Sequence, residues 1–258
     1  MRLLFYFLVA IFFSSCKSTF QQKDFDYQGE HALITIYGAA EKEKPLLVVL
    51  PELNNSTLSD EILKKLSRKY QVVKVSFLSP NDKQRQIQLD NLNNRINFYS
   101  DYLNLLAVTH QDSMSILAEG LNANFISNYT HAFALSNIYL INPYKPNLHQ
   151  VFTDNCYASA TATCDSLLKY FGFTSRTELD SLLVAVKTDA TDNKYGNHTL
   201  SFWRTVLTYD LKNNTKAGNK ILVFTQESGL QGQNQKSKNT LIIKEEELKK
   251  TLLEITRN

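Results

Sequence analysis

The stretch from Asp112 to Ala134, DSMSILAEGLNANFISNYTHAFA, decides how the rest of the chain is read. Ser113 to Leu117 form a short extended run, and Ala118 to Ala123 a turn rich in small residues. Leu121, Phe125, Tyr129, Ala132 and Phe133 then recur at helical spacing. The stretch therefore reads as strand, sharp turn, helix, with Glu119, Gly120 and Leu121 at the turn.

Upstream of it, His31 to Tyr37 alternates and is rich in β-formers, and Phe25 to Tyr27 is expected as a brief edge strand. Leu46 to Leu50 is continuously apolar, as in a strand buried on both faces of a parallel sheet. It ends in a loop containing Pro51, Glu52 and Leu53. A helix follows, with Thr57 and Asp60 spaced as a capping box and Leu58, Ile62, Leu63, Leu66 and Tyr70 on its apolar face. Gln71 to Phe77 is the next strand, and a long helix runs from about Gln84 to Ala107. Downstream, Asn137 to Ile141 and Lys220 to Thr225 are strands, Thr240 to Ile243 is a short last strand, and Glu245 to Thr256 is a closing amphipathic helix.

Strands alternating with helices in this order predict an α/β protein with a doubly wound, mostly parallel sheet. The order also resembles the α/β-hydrolase fold, with a leading antiparallel pair, a buried strand, crossovers, and a turn after the fifth strand shaped like a nucleophile elbow. The resemblance covers roughly Phe25 to Tyr144 and Lys220 to Ile255; a flavodoxin-like sheet is the rival. Residues 145–216 break the alternation and read as a helical insertion, in the place where a lid commonly enters that fold. Its helices are expected at Asp165 to Tyr170, Arg176 to Val186 and Thr199 to Leu211. Phe202 and Trp203 lie in the last of these and either anchor it to the sheet or line a ligand pocket with Glu52, Leu53, Gly120 and Leu121.

The resemblance implies a serine nucleophile, a histidine base and an acid. In the Gly-x-Ser-x-Gly pattern the serine position falls on Gly120, which has no side chain. The five histidines are His31, His110, His131, His149 and His198, and none lies beyond Lys220, where the base belongs. Glu227 stands near the acid position. Pro51 and Glu52 replace the histidine-glycine of the oxyanion loop, and a carboxylate there repels a developing oxyanion. A displaced set is the alternative: Glu119 as a base, although a glutamate flanking a turn is ordinarily exposed, or His198 swung over Glu119 or Glu227. Ser115 is expected to be buried in its strand. No metal-ligand spacing and no phosphate-binding glycine loop appears, so neither a metal nor another cofactor is expected.

The amino terminus reads as an address. Met1 and Arg2 precede an apolar run from Leu3 to Phe13, too short to span a bilayer. Ser14, Ser15 and Cys16 resemble a bacterial lipobox, with Phe13 in the place of leucine. That resemblance implies removal of residues 1–15, acylation of Cys16 with palmitate-like chains, a tether over 16–24 and one domain over 25–258. Two or more acyl chains anchor a protein stably. An ordinary secretory leader is the alternative, and either way the mature chain is exported. Without Arg2 the chain carries 27 basic and 25 acidic residues and no basic stripe, which argues against nucleic acid as a partner. In an exported chain Cys156 and Cys164 are expected as a disulfide, against two buried thiols.

These readings lead to a bacterial envelope lipoprotein, membrane-bound through its anchor, with a hydrolase-like fold that lacks its triad and binds or scaffolds a small-molecule or protein ligand. An active hydrolase of esterase, lipase or peptidase type with a displaced catalytic set is the rival. A purely structural envelope protein is a third reading.

Overall fold

The computed structural model describes residues 20–27, 30–38, 44–52, 56–77, 92–109, 114–128, 135–144, 147–158, 162–189, 191, 193–208, 210–211, 217–225 and 240–255. Eight strands form one sheet: β1 (Phe20–Tyr27), β2 (Glu30–Tyr37), β3 (Leu46–Leu50), β4 (Gln71–Phe77), β5 (Met114–Glu119), β6 (Leu135–Ile141), β9 (Ala217–Thr225) and β10 (Thr240–Ile243). Their order across the sheet is β1-β2-β4-β3-β5-β6-β9-β10. The pairs β1–β2 and β2–β4 are antiparallel, and every other neighbouring pair is parallel. The doubly wound, mostly parallel α/β sheet expected from the sequence is the sheet observed.

The period of two sets the layers. In β3, Leu46, Val48 and Leu50 join one apolar cluster while Leu47 and Val49 join another on the opposite face. The first face is covered by α2 (Leu92–Thr109), through Phe98, Tyr99, Tyr102, Leu103 and Leu106, and by α3 (Leu121–Asn128), through Ala123 and Ile126. The second is covered by α1 (Asp60–Leu66) and α8 (Leu248–Ile255), through Ile62, Leu63, Leu66, Leu248 and Leu252. With helices on both faces, β3 and β5 are buried at every residue.

Between β6 and β9 the chain is mainly helical. It contains α4 (Leu148–Phe152), a π-helical turn (Thr153–Ala158), α5 (Ala162–Tyr170), α6 (Arg176–Thr188), a two-stranded hairpin of β7 (Lys194–Tyr195) and β8 (His198–Thr199), and α7 (Leu200–Val206). This insertion has its own apolar cluster, which reaches the sheet domain through Leu121 and Phe125 of α3 and Tyr144 beyond β6. Cys156 and Cys164 are joined in a disulfide, with Cα atoms 4.9 Å apart.

Several sequence expectations are displaced. Residues 20–24, read as tether, form the first part of β1, which pairs with β2 from Phe20 onward. The polar run Gln21, Gln22 and Lys23 has no apolar alternation, and it is held as an edge strand by its ladder rather than by burial. The cap of α1 is Ser59, whose hydroxyl accepts from Ile62 N–H, and not Thr57. The last helix of the insertion ends at Val206, with Leu207 as its cap, short of the expected Leu211. The leader, Cys16, Leu53 and Glu227 lie outside the described residues. Among the described residues no helix is long and apolar enough to cross a membrane.

Candidate functional site

The turn between β5 and α3 is the elbow that the sequence predicts. Gly120 has φ of +56°, in the left-handed region that favours glycine. Its N–H donates to Ile141 O at 2.8 Å, and its carbonyl accepts from Ala123 N–H at 3.1 Å, which starts α3. The chain therefore turns sharply at the carboxyl end of the central strand. Two further asparagines fix the surroundings: Asn122 Nδ2 donates to Pro51 O at 2.5 Å, and Asn124 exchanges two hydrogen bonds with the backbone of Tyr144, at 2.7 and 2.8 Å.

The loop after β3 reaches across this turn, and Glu52 lies over Gly120. A Cβ placed on Gly120 would fall 1.1 Å from Glu52 Oε2 and 2.3 Å from its Cδ. The same Oε2 accepts the N–H of Leu121 at 2.9 Å. In the α/β-hydrolase plan the nucleophile's side chain stands at the elbow, and the N–H of the following residue is an oxyanion donor. Here one carboxylate takes up both places: it fills the volume of the nucleophile and uses the donor.

Glu119, one residue before the turn, is buried at 3% exposure rather than exposed as the sequence reading expects. Four donors explain why it can be buried. Oε2 accepts Glu52 N–H at 3.1 Å and the Ser56 hydroxyl at 2.5 Å. Oε1 accepts Thr57 N–H at 2.8 Å and the Thr57 hydroxyl. Thr57 is thus spent on Glu119, which is why α1 is capped by Ser59. Glu119 ties the loop of Glu52, Ser56 and Thr57 to the end of β5 and so positions Glu52 on the elbow.

Tyr144 is buried beside both carboxylates. Burial first, then the negative charge of Glu52, then Tyr170 and the charge of Glu119, push its phenol well above the usual range, so it stays protonated.

Chemically, the arrangement has a carboxylate where a nucleophile would attack and no side chain at position 120. Ser56 and Thr57 each pair a hydroxyl with Glu119, and the Ser56–Glu119 pair has the shape of a displaced set. However, each Glu119 oxygen already accepts two hydrogen bonds, and Ser56 Oγ also accepts Leu58 N–H at 3.1 Å, which holds the pair in a loop-closing role. Ser115 is buried within β5, as expected. His198 stacks on Phe202 with ring centroids 3.9 Å apart and lies edge-on to Trp203, so it belongs to the insertion rather than to Glu119. His149 is exposed on α4.

Phe202 and Trp203 are fully buried in the insertion's cluster, where Trp203 contacts Phe152, Phe171 and Phe173 and its Nε1–H donates to Tyr195 O at 2.9 Å. Their ring contacts stay within the insertion, so they pack its own core rather than fastening it to the sheet or lining a pocket with Glu52 and Gly120. Leu121 shares that cluster, so the elbow and the insertion meet at its side chain. Among the described residues no three His, Cys, Asp or Glu side chains gather as a metal site.

The contacts that sequence reasoning missed are those of Glu52 and Glu119. The gap at Gly120 and the missing histidine were visible, but Glu52 meets Leu121 across 69 residues, and no local pattern marks such a crossing.

No protein-family model matches the chain, and no curated protein matches it. Solved structures do resemble it. Wild-type Cfl2 from Burkholderia cenocepacia is 12% identical, with 93% of this chain and 95% of that one covered and a TM-score of 0.51. The thioesterase domain from the curacin biosynthetic pathway is 10% identical, with 93% and 100% covered and a TM-score of 0.51. A bromoperoxidase from Bacillus anthracis is 10% identical, with 92% and 100% covered and a TM-score of 0.50. At these identities the likeness speaks to the fold alone, and the fold is that of the α/β-hydrolases.

Proposed function

We propose that this chain is a non-catalytic α/β-hydrolase-fold module of the bacterial envelope, exported, acylated at Cys16, and used for binding or scaffolding. The observation that carries the non-catalytic half is Glu52 Oε2 lying within bonding distance of where a Gly120 side chain would start, on the N–H of Leu121. An oxyanion hole acts by donors aimed at developing negative charge, and a resident carboxylate both consumes the donor and opposes that charge. The amino-terminal Ser14-Ser15-Cys16 pattern supports the anchor.

The active-hydrolase alternative draws on one observation, the Ser56–Glu119 pair. The two readings separate in a simple assay. Purified protein is expected to leave short acyl esters unhydrolysed above the buffer rate. Turnover by the wild type that Ser56→Ala abolishes would favour the alternative. The anchor has its own test: Cys16→Ala should release the protein from membranes or leave it unprocessed. Unchanged membrane retention and acyl labelling in that variant would contradict it.

A further inference from the structure

If Cys16 carries the lipid, the fold constrains which side of the domain meets the bilayer. β1 begins at Phe20. Four residue steps separate Phe20 from Cys16, so the chain can span at most about 14 Å between them, whatever its conformation. The domain has no long stalk and must rest near the surface that holds its anchor.

The strand register says which edge that is. Phe20 pairs with Tyr37, Tyr37 with Val72, Val72 with Leu47, and Leu47 with Ser115. Phe20 is thus level with the beginnings of β4, β3 and β5. Gly120 lies five residues beyond Ser115, about 17 Å further along β5, and four strands away. The chain enters β1 at the amino-end edge of the parallel strands, and the elbow and insertion stand at the carboxyl end.

The segments around that entry carry more cations than acids. Phe20 is 46% exposed and packs edge-on against Tyr37. The next residue after Tyr37, Gly38, lies against Ser67, at the start of the turn that carries Arg68 and Lys69 into β4. Lys44 just before β3 completes the group, while Lys23 on β1 alternates to the face opposite Phe20. Residues 20–24, 44–46 and 67–71 hold Lys23, Lys44, Arg68 and Lys69 against one acid, Asp24, while residues 39–43 add one lysine and two glutamates in sequence.

We infer that the Phe20 edge, with Lys44, Arg68 and Lys69, is a membrane-facing surface suited to anionic lipid headgroups, and that it leaves the elbow and insertion exposed to the aqueous compartment. Basic side chains held close to a bilayer by an anchor are drawn to its negative surface potential, an attraction that fades within a Debye length. The inference rests on the acylation proposed for Cys16.

The test uses the full acylated protein in vesicles containing phosphatidylglycerol and quencher-labelled headgroups. Single fluorophores are placed through Gln22→Cys on β1 and Val184→Cys on the exposed face of α6. Mass spectrometry first establishes the acyl groups on Cys16. The expected result is quenching several-fold stronger at position 22 than at position 184, reduced at position 22 by Arg68→Glu with Lys69→Glu or by raised salt. Equal or reversed quenching on acylated protein overturns the orientation and leaves the anchor standing. Quenching insensitive to charge reversal and salt overturns the headgroup contact. A mature chain without acyl groups overturns the anchor and the inference with it.

Discussion

The apolar layers of the sheet and the polar crossing at its carboxyl edge follow different rules within the same few residues. In β5, Met114, Ile116 and Ala118 face one layer and Leu117 the other, and this alternation alone commits the strand to the centre of the sheet. One residue later Glu119 is as buried as its neighbours, yet it is held by two hydroxyls and two backbone N–H groups. The sheet tolerates exchange of one apolar residue for another, because burial is non-directional. The crossing does not, because each donor has one acceptor and an orphaned partner is costly. A chain can therefore keep the sheet while the residues at its edge are exchanged.

Substitutions can break each half of this contrast separately. The largest effect belongs to the apolar half. Trp203→Ala empties the centre of the insertion's cluster and should cost about 3–5 kcal/mol, read as a lower urea midpoint. A loss below 1 kcal/mol would mean that the insertion is not packed as described.

Glu119→Gln comes next. It keeps the shape but turns an amide NH2 toward a backbone N–H, that of Glu52 or that of Thr57, so it should cost about 2–3 kcal/mol despite changing one atom. A neutral outcome would show that the loop of Glu52, Ser56 and Thr57 is not held by this carboxylate.

A smaller effect sharpens the picture of the elbow. Gly120→Ser puts a side chain on left-handed backbone and into the carboxylate of Glu52. Removing that carboxylate by Glu52→Ala relieves the collision but not the backbone strain. The double variant should therefore be more stable than the sum of the single losses by about 1–2 kcal/mol. Strict additivity would place Glu52 elsewhere.

The sequence made the sheet legible because Leu46 to Leu50, Gln71 to Phe77 and Met114 to Glu119 carry their position in composition and period. It made the glycine at position 120 and the lack of a histidine beyond Lys220 legible because both are local facts. It did not disclose what lies over Gly120. Glu52 and Glu119 look like ordinary loop glutamates, and their burial depends on partners more than sixty residues away. Edge strand β1 was partly hidden for a related reason, since Gln21, Gln22 and Lys23 are held by the backbone ladder with β2 and need no apolar signal.

The central claim is that the elbow is occupied by Glu52 and has no nucleophile, and labelling by a fluorophosphonate tests it most directly. The wild-type protein is expected to remain unlabelled. Gly120→Ser, alone or with Glu52→Ala, should also stay unlabelled, since a restored hydroxyl still lacks a base and triad members act as a unit. Stoichiometric labelling of one serine in the wild type, lost together with ester turnover when that serine becomes alanine, would contradict the account.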